Sequence, residues 1–338
     1  MARRPTIKEV SKLAGVSFKT VSRVLNNEKN VSEETRRRVE AVVAELNFRP
    51  SMAARTLAGR KSFQVALLYD NPSPFYVYHV QAGAQERCSD LGYRLLIQPV
   101  DAAAPDLAQQ VAALIDETHL DGLILTPPVT ESAALLDMLD GRALPYVRIS
   151  PGLRPDHGRA ATIDDRAAAQ EMTQRLIALG HRRIAFVGGP ETHVSALQRR
   201  EGYAAALSAA GISVDEALIL QGDFSLRSGR SAARKLLDCD DRPDAIFAAN
   251  DDMAAGVLAV AHELDIDVPG ELSIAGFDDS DLAGAVWPPL STVHQPVREL
   301  ARLAADLLLA PDPAPPRITL PYGIEMRAST GPAPKKAD

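Results

Sequence analysis

The chain has 338 residues, enough for two or three domains at the usual domain size, and its 46% hydrophobic and 24% charged residues describe a globular protein. Intrinsic disorder over most of the length is therefore excluded. A net charge of −7 argues at first against a polyanion partner, but residues 1–61 hold 14 Lys/Arg against six acids, a balance of +8 that leaves −15 for the remaining 277. A small basic head is joined to a large acidic body, the asymmetry expected of a nucleic-acid-binding module attached to something else.

The first nine-residue segment, TIKEVSKLA, sets Ile7, Val10, Leu13 and Ala14 on one face at helical spacing. Thr6 and Glu9 form a capping box that satisfies two backbone donors at the helix start. Gly15 permits a left-handed turn, and Ser17 caps a second helix with Val21, Val24 and Leu25 inward. Two helices joined this way predict a helix-turn-helix. A third helix is expected from Ser32 to about Leu46, with Val39, Val42, Val43 and Leu46 facing the core.

The second helix turns Phe18, Lys19, Ser22, Arg23 and Asn26 outward, which suits a helix lying in the DNA major groove. Arg23, then Lys19, are the foremost candidates for base readout, because the planar guanidinium meets guanine O6 and N7 together. After Pro50, residues 51–59 (SMAARTLAG) read as one short helix that needs a partner to order it.

From Phe63 onward strand-like and helix-like segments alternate. FQVALLY, YRLLIQP, DGLILTP and PYVRI form a first set, and RRIAFVG, EALILQG, DAIFAAN and LSIAGF a second. That rhythm predicts βαβ units with parallel sheets, in two similar halves. Ligands of open α/β sheets sit beyond the carboxyl ends of the strands. The residues there are Asp70 with the Pro74, Phe75, Tyr76 loop, then Thr126, Ser150, Asn250 and Asp278. For Asn250 and Asp278 the alternative is helix capping. Gly188-Gly189-Pro190 lacks a phosphate-binding lysine and reads as a turn.

Other functions lack their signals. The motifs HExxH, GxSxG and GxxxxGK(S/T) are missing, and the seven histidines show no metal-ligand spacing, so neither an enzyme, a metal site nor a cofactor is expected. Cys88 and Cys239 read as ordinary buried or half-buried thiols. The basic start runs into no apolar stretch, and no window approaches the roughly 18 apolar residues of a membrane span, which together predict a cytoplasmic protein with no membrane partner.

The segment TIKEVSKLAGVSFKTVSRVLNNEKNVSEETRRRVEAVVAELNFRPSMAARTLAG resembles the head-piece motif of the LacI/GalR family of bacterial transcription regulators. The resemblance continues through GHRRIAFVGGP, Ser195 to Tyr203, AIFAANDDMAAGVL, GFDD and PPLSTVHQP, so it covers nearly the whole chain. It implies an all-α helix-turn-helix head (1–49), a hinge helix or linker (50–61), and an α/β two-lobed periplasmic-binding-protein-like sensor domain with parallel sheets (62–327). Residues 328–338, a Pro/Ala/Lys tail without heptads, are expected to be disordered. Three crossings between lobes are expected near residues 160, 290 and 320.

The family's DNA contacts fall here on Thr6, Ser17, Phe18, Lys19, Ser22, Arg23, Asn26, Asn30, Phe48, Ala54, Arg55 and Leu57, with Leu57 wedged into the minor groove. Its effector contacts add His193, Arg199, Phe224 and Gln295 to the strand-end residues, and pair Arg199 with Asp278. The partners implied are operator DNA, a small-molecule effector and a second copy of the chain. The region after Asn250 and the helix of the 290s are expected to supply the dimer's apolar surface. The aromatic NPSPFYVY loop and the small Thr126 and Ser150 depart from the lactose repressor's pattern, so a different effector is expected, and Asp278 with Phe224 suits a mono- or disaccharide or a glycoside. The alternatives are a purine or nucleoside corepressor stacked between Tyr76 and Phe224, or a solute-binding protein, which the basic head opposes.

Overall fold

A computed structural model describes residues 5–25, 30–46, 48, 61–239, 241–309 and 316–334. The chain divides into two compact units, Met1–Phe63 and Gln64–Asp338.

In the first unit, helices α1 (Ile7–Ala14), α2 (Phe18–Leu25) and α3 (Glu33–Glu45) follow the expected caps. The Glu9 amide donates to Thr6 Oγ1 at 3.3 Å while the Thr6 amide donates to Glu9 Oε2 at 2.6 Å. Gly15 takes φ +62°, where a side chain would be strained, and the Thr20 amide donates to Ser17 Oγ at 3.1 Å. Val10, Ala14, Val21, Val24, Val39 and Phe48 form the buried core. Leu13, expected inside, is 60% exposed, because α1 is short and its inward face is filled by Val10 and Ala14. The linker helix expected at 51–59 lies outside the described residues.

The second unit is built on two six-stranded sheets. Lobe 1 contains β1 (Gln64–Tyr69), β2 (Arg94–Pro99), β3 (Gly122–Leu125), β4 (Tyr146–Ile149), β5 (Arg159–Thr162) and β11 (Arg317–Thr319), in the order β11-β5-β4-β3-β1-β2 and all parallel. Lobe 2 contains β6 (Ile184–Gly188), β7 (Ile219–Gln221), β8 (Ala245–Ala248), β9 (Ser273–Asp278), β10 (Ser291–His294) and β12 (Gly323–Glu325), in the order β12-β10-β9-β8-β6-β7. Only the β10–β12 pair of that sheet is antiparallel. The eight apolar runs read from the sequence are all strands, and β5, β10, β11 and β12 are additional.

Helices α4 (Pro74–Asp90), α5 (Leu107–Thr118) and α6 (Ala133–Gly141) belong to lobe 1; α7 (Asp165–Ala178), α8 (Val194–Ala209), α9 (Leu226–Leu237), α10 (Asp251–Glu263) and α11 (Asp281–Ala285) belong to lobe 2. Helix α12 (Val297–Leu309) follows a lobe 2 strand but packs on α4, β4 and β5 of lobe 1. The chain therefore crosses between lobes after β5, after β10 and between β11 and β12, close to the expected positions. No described helix is long and apolar enough to cross a membrane.

Three expectations are corrected. The tail is ordered at least through residue 334: Ser329 is fully buried, its amide and carbonyl joined to Pro289 and Ile274, and the Ala333 amide donates to Leu179 O at 2.9 Å. Its small residues fit against β9, where composition alone suggested a free end. The apolar residues of α10 and α12, expected to supply a dimer surface, are largely buried within the chain itself, those of α12 against α4, β4 and β5 of lobe 1. Large apolar side chains that do face out include Trp287 (79% exposed) and Tyr78 (59%). Cys88 is buried as expected, but Cys239 is exposed just past the end of α9.

Candidate functional site: an interlobe cleft and a DNA-facing helix

The carboxyl ends of both sheets face a cleft between the lobes, whose empty space, open mouth included, is about 420 Å³. Its floor is ionic. Arg199 on α8 is 5% exposed and lies flat on the Phe277 ring, 3.6 Å from its centroid. Its Nε donates to Asp165 Oδ1 at 2.8 Å, and its two terminal nitrogens donate to Ala249 O at 2.6 Å and Gln295 Oε1 at 3.0 Å. Asp278, at the end of β9 with φ +114°, sits 3.7 Å from the same guanidinium. Among the described residues its carboxylate has no hydrogen-bond donor. Burial raises the Asp278 carboxyl well above the usual range, and Arg199 opposes that shift.

One wall is aromatic. Phe224, at φ +65°, places its ring against Gly189, where any Cβ would collide with it. The ring meets His193 edge to face at 5.1 Å. Asn250 holds this wall: its Nδ2 donates to Phe224 O at 2.9 Å, while its Oδ1 accepts the Met253 amide at 3.0 Å and caps α10. The capping and the cleft-lining roles of Asn250 therefore coexist; Asp278 caps no helix, that place before α11 being taken by Ser280. His193 is 5% exposed, its Nε2 has no partner among the described residues, and burial lowers its pKa to about 4, so the ring is neutral.

Behind the floor, Asp251 accepts from the Ser280 amide (2.8 Å), Ser280 Oγ (3.0 Å) and Thr292 Oγ1 (2.6 Å). Burial still raises its pKa to about 7. Its neighbour Asp252 reaches across to lobe 1, accepting Ser73 Oγ at 2.6 Å. Ser73 also caps α4, the helix that carries Tyr76 into the cleft.

Lobe 1 supplies smaller groups. Ser150, at φ +45°, ends β4 and opens a loop fixed from beneath. Buried Arg148 donates to the carbonyls of Leu153 and Arg154 at 2.7 Å each and to that of His157. Glu131 accepts the amides of Gly152 at 2.9 Å and Leu153 at 2.5 Å.

Of the expected effector residues, Tyr76, Ser150, His193, Arg199, Phe224, Asn250, Asp278 and Gln295 line the cleft together. Asp70, Pro74, Phe75 and Thr126 do not. Asp70 Oδ2 accepts the Ala102 amide at 2.9 Å, Thr126 is fully buried with Oγ1 donating to Leu68 O, and Pro74 points to solvent. The sequence reading missed Asn71, Ser73, Pro127 and Ser195. Ser195 lies one helical turn before Arg199 on the same face, and Ser73-Pro74 is a helix-start signal, so both were within reach of the pattern.

In the head, Thr6, Ser17, Lys19, Asn30 and Phe18 (61%) are exposed, and Ser22 and Arg23 are half-buried on α2. Phe48, expected at the DNA, is only 7% exposed because it closes the head's core against α3. Asn26, Ala54, Arg55 and Leu57 lie outside the described residues.

Residues 6–51 match the profile of the bacterial regulatory proteins of the lacI family, and residues 173–330 that of the periplasmic binding protein-like domain. The chain is 35% identical to the HTH-type transcriptional regulator CelR of Thermobifida fusca, over 97% of this chain and 98% of that protein. It is also 35% identical to the ribose operon repressor of Escherichia coli K12, over 90% and 92%. Among solved structures, the CelR–cellobiose complex aligns with a TM-score of 0.73 at 32% identity over 96% of this chain and 100% of that one. The lac repressor dimer bound to operator and the anti-inducer ONPF aligns at 0.80 and 27% identity over 97% and 100%. The chain therefore belongs to the LacI family of bacterial transcriptional regulators, a DNA-binding head joined to an effector-binding body rather than an enzyme.

Proposed function

We propose that this chain is a cytoplasmic homodimeric repressor whose two heads bind a pseudo-palindromic operator and whose cleft takes a sugar or glycoside that releases it. The observation that carries the effector class is the Asp278 carboxylate, which has no hydrogen-bond donor among the described residues and lines the same cleft as the Phe224 wall. A carboxylate accepts two neighbouring hydroxyls while an aromatic ring covers the apolar face of a pyranose, and Asn250 and Gln295 offer further polar atoms. The similarity to a regulator solved with cellobiose and to a ribose operon repressor supports the same class.

On the DNA side, exposed Ser17, Phe18 and Lys19 on α2 and a head charge of +8 support major-groove binding, with half-sites about one helical turn apart. The effector acts only if it prefers one arrangement of the lobes, since equal affinity for both shifts nothing.

A thermal-shift screen against cellobiose, ribose, glucose, guanine and hypoxanthine tests the class, because a ligand at 100 times its Kd stabilises by about 2.7 kcal/mol. Stabilisation by a sugar that D278A abolishes is expected; stabilisation by a purine alone would replace the sugar. Operator titrations with the active compound then read the direction of control, and affinity should fall steeply with salt.

A further inference from the structure

Among the described residues, the cleft lining contains one group with a permanent positive charge, Arg199, and that group is already engaged on every side. Asp165, Ala249 and Gln295 take its Nε and both terminal nitrogens, Asp278 faces it at 3.7 Å, and the flat of the guanidinium is covered by Phe277. The planar fork that elsewhere grips a phosphate in two parallel hydrogen bonds is occupied here by protein oxygens. Carboxylates outnumber it: Asp165 and Asp278 touch or face Arg199, and Asp252 stands directly behind the cleft-lining Ser73.

One feature favours an anion. The N-terminus of α8 opens beside the cleft without a side-chain cap, since its N-cap residue His193 makes no such bond. A helix end is equivalent to roughly half a positive charge. That is less than a guanidinium free to form two parallel hydrogen bonds would supply. His193 adds no charge, because burial holds the imidazole neutral. What it offers is a buried Nε2 without a partner among the described residues, which a neutral ring can use as either donor or acceptor according to its tautomer.

We propose that the cleft selects an uncharged, unphosphorylated polyol, with His193 Nε2 reading one of its hydroxyls, and rejects the phosphate ester of the same sugar. The polyol class rests on the sugar reading above; the exclusion of anions rests on the occupied Arg199 fork and the acidic groups that surround it. The regulator would then respond to a sugar before phosphoryl transfer, and phosphorylation of that sugar would end the signal.

The test uses the full-length protein with labelled histidine, the His193 ring resonance being assigned by its loss in H193Q. Inorganic phosphate and glucose 6-phosphate at about 10 mM should leave that resonance in place, a concentration that would reveal even millimolar binding. Phosphate bound to the basic head would not move it. A phosphate- or sugar-phosphate-dependent shift of His193 overturns the exclusion, whichever sugar proves to be the effector. Any neutral sugar that stabilises the protein should shift the same resonance and bind at least about tenfold more weakly to H193Q. A bound neutral sugar that leaves His193 unmoved overturns its reading role. Failure of every neutral sugar in the panel counts against the sugar class, while the phosphate arm still decides the exclusion.

Discussion

The two lobes approach the cleft with different chemistry. Lobe 2 brings Arg199, Asn250 and Asp278, each placed by buried partners: a guanidinium bonded on all sides, an amide that caps one helix and holds a second loop, a carboxylate at a strand end. Lobe 1 brings Asn71, Ser73, Tyr76, Pro127 and Ser150, mostly small and set on loops or the first turn of a helix. One lobe supplies the charged and amide anchor and the other smaller hydroxyl and aromatic contacts, with Ser73–Asp252 as a buried hydrogen bond between them. Affinity should therefore depend mainly on lobe 2, and the response of the lobe angle mainly on lobe 1.

The largest expected effect is that of R199M. It leaves Asp165, 2% exposed, without its counter-charge, and breaking a buried pair by removing one partner costs about 3–5 kcal/mol. Calorimetric unfolding should show the loss, and effector binding should vanish; unchanged melting would mean the network is not the anchor described.

D278N separates binding from stability. Losing a charged acceptor should weaken effector binding by about 1.5–3 kcal/mol, roughly ten- to a hundredfold. The same change should raise the melting temperature, because it removes a buried carboxyl whose pKa burial raises. The pH dependence has the matching sign. With Asp251 raised to about 7, the native chain holds more protons than the unfolded one between about pH 4 and pH 7. Stability contributed by this group is therefore lost as pH rises through that window, and D251N should flatten the slope.

S73A addresses the contact between lobes. It leaves the Asp252 carboxylate, 7% exposed, without its donor, at a cost of about 1–3 kcal/mol. If that bond couples the lobes, the change in operator affinity caused by the effector should shrink while effector affinity changes little. The smallest effect belongs to S150A, whose hydroxyl lines the cleft without a partner among the described residues; less than about tenfold in effector affinity is expected, equivalent to under about 1.4 kcal/mol. A larger loss from S150A than from D278N would reverse the assignment of the anchor to lobe 2.

Much of the fold was legible because its signals are local. The caps at Thr6, Ser17 and Ser32 act within four residues, and the eight apolar runs each announce a strand over a short window. The strands that escaped notice, Arg159–Thr162, Ser291–His294, Arg317–Thr319 and Gly323–Glu325, hold at most one large apolar side chain each, so no apolar run marks them, whereas strands as short as Gly122–Leu125 are dense in Leu and Ile. Strand ends located eight of the cleft residues once the resemblance was added, but could not tell that Thr126 turns back to Leu68 or Asp70 toward Ala102. Composition misjudged the tail for a related reason: Ser329 is held by Ile274, Pro289 and Ser291, all distant in sequence.

The sequence by itself determined the division into a basic head and an acidic body, the three head helices and the alternation that makes two parallel sheets. These follow from charge, capping and periodicity, which are properties of neighbouring residues. Only the tertiary structure decided which groups in the cleft remain available to a ligand. Arg199 meets an acid 34 residues away and an amide 96 residues away, and those partners consume the hydrogen bonds that its identity as an arginine would advertise. Packing then leaves the Asp278 carboxylate without a hydrogen-bond donor and His193 Nε2 without a partner among the described residues, because a buried polar group can bond only what the fold brings within reach of it.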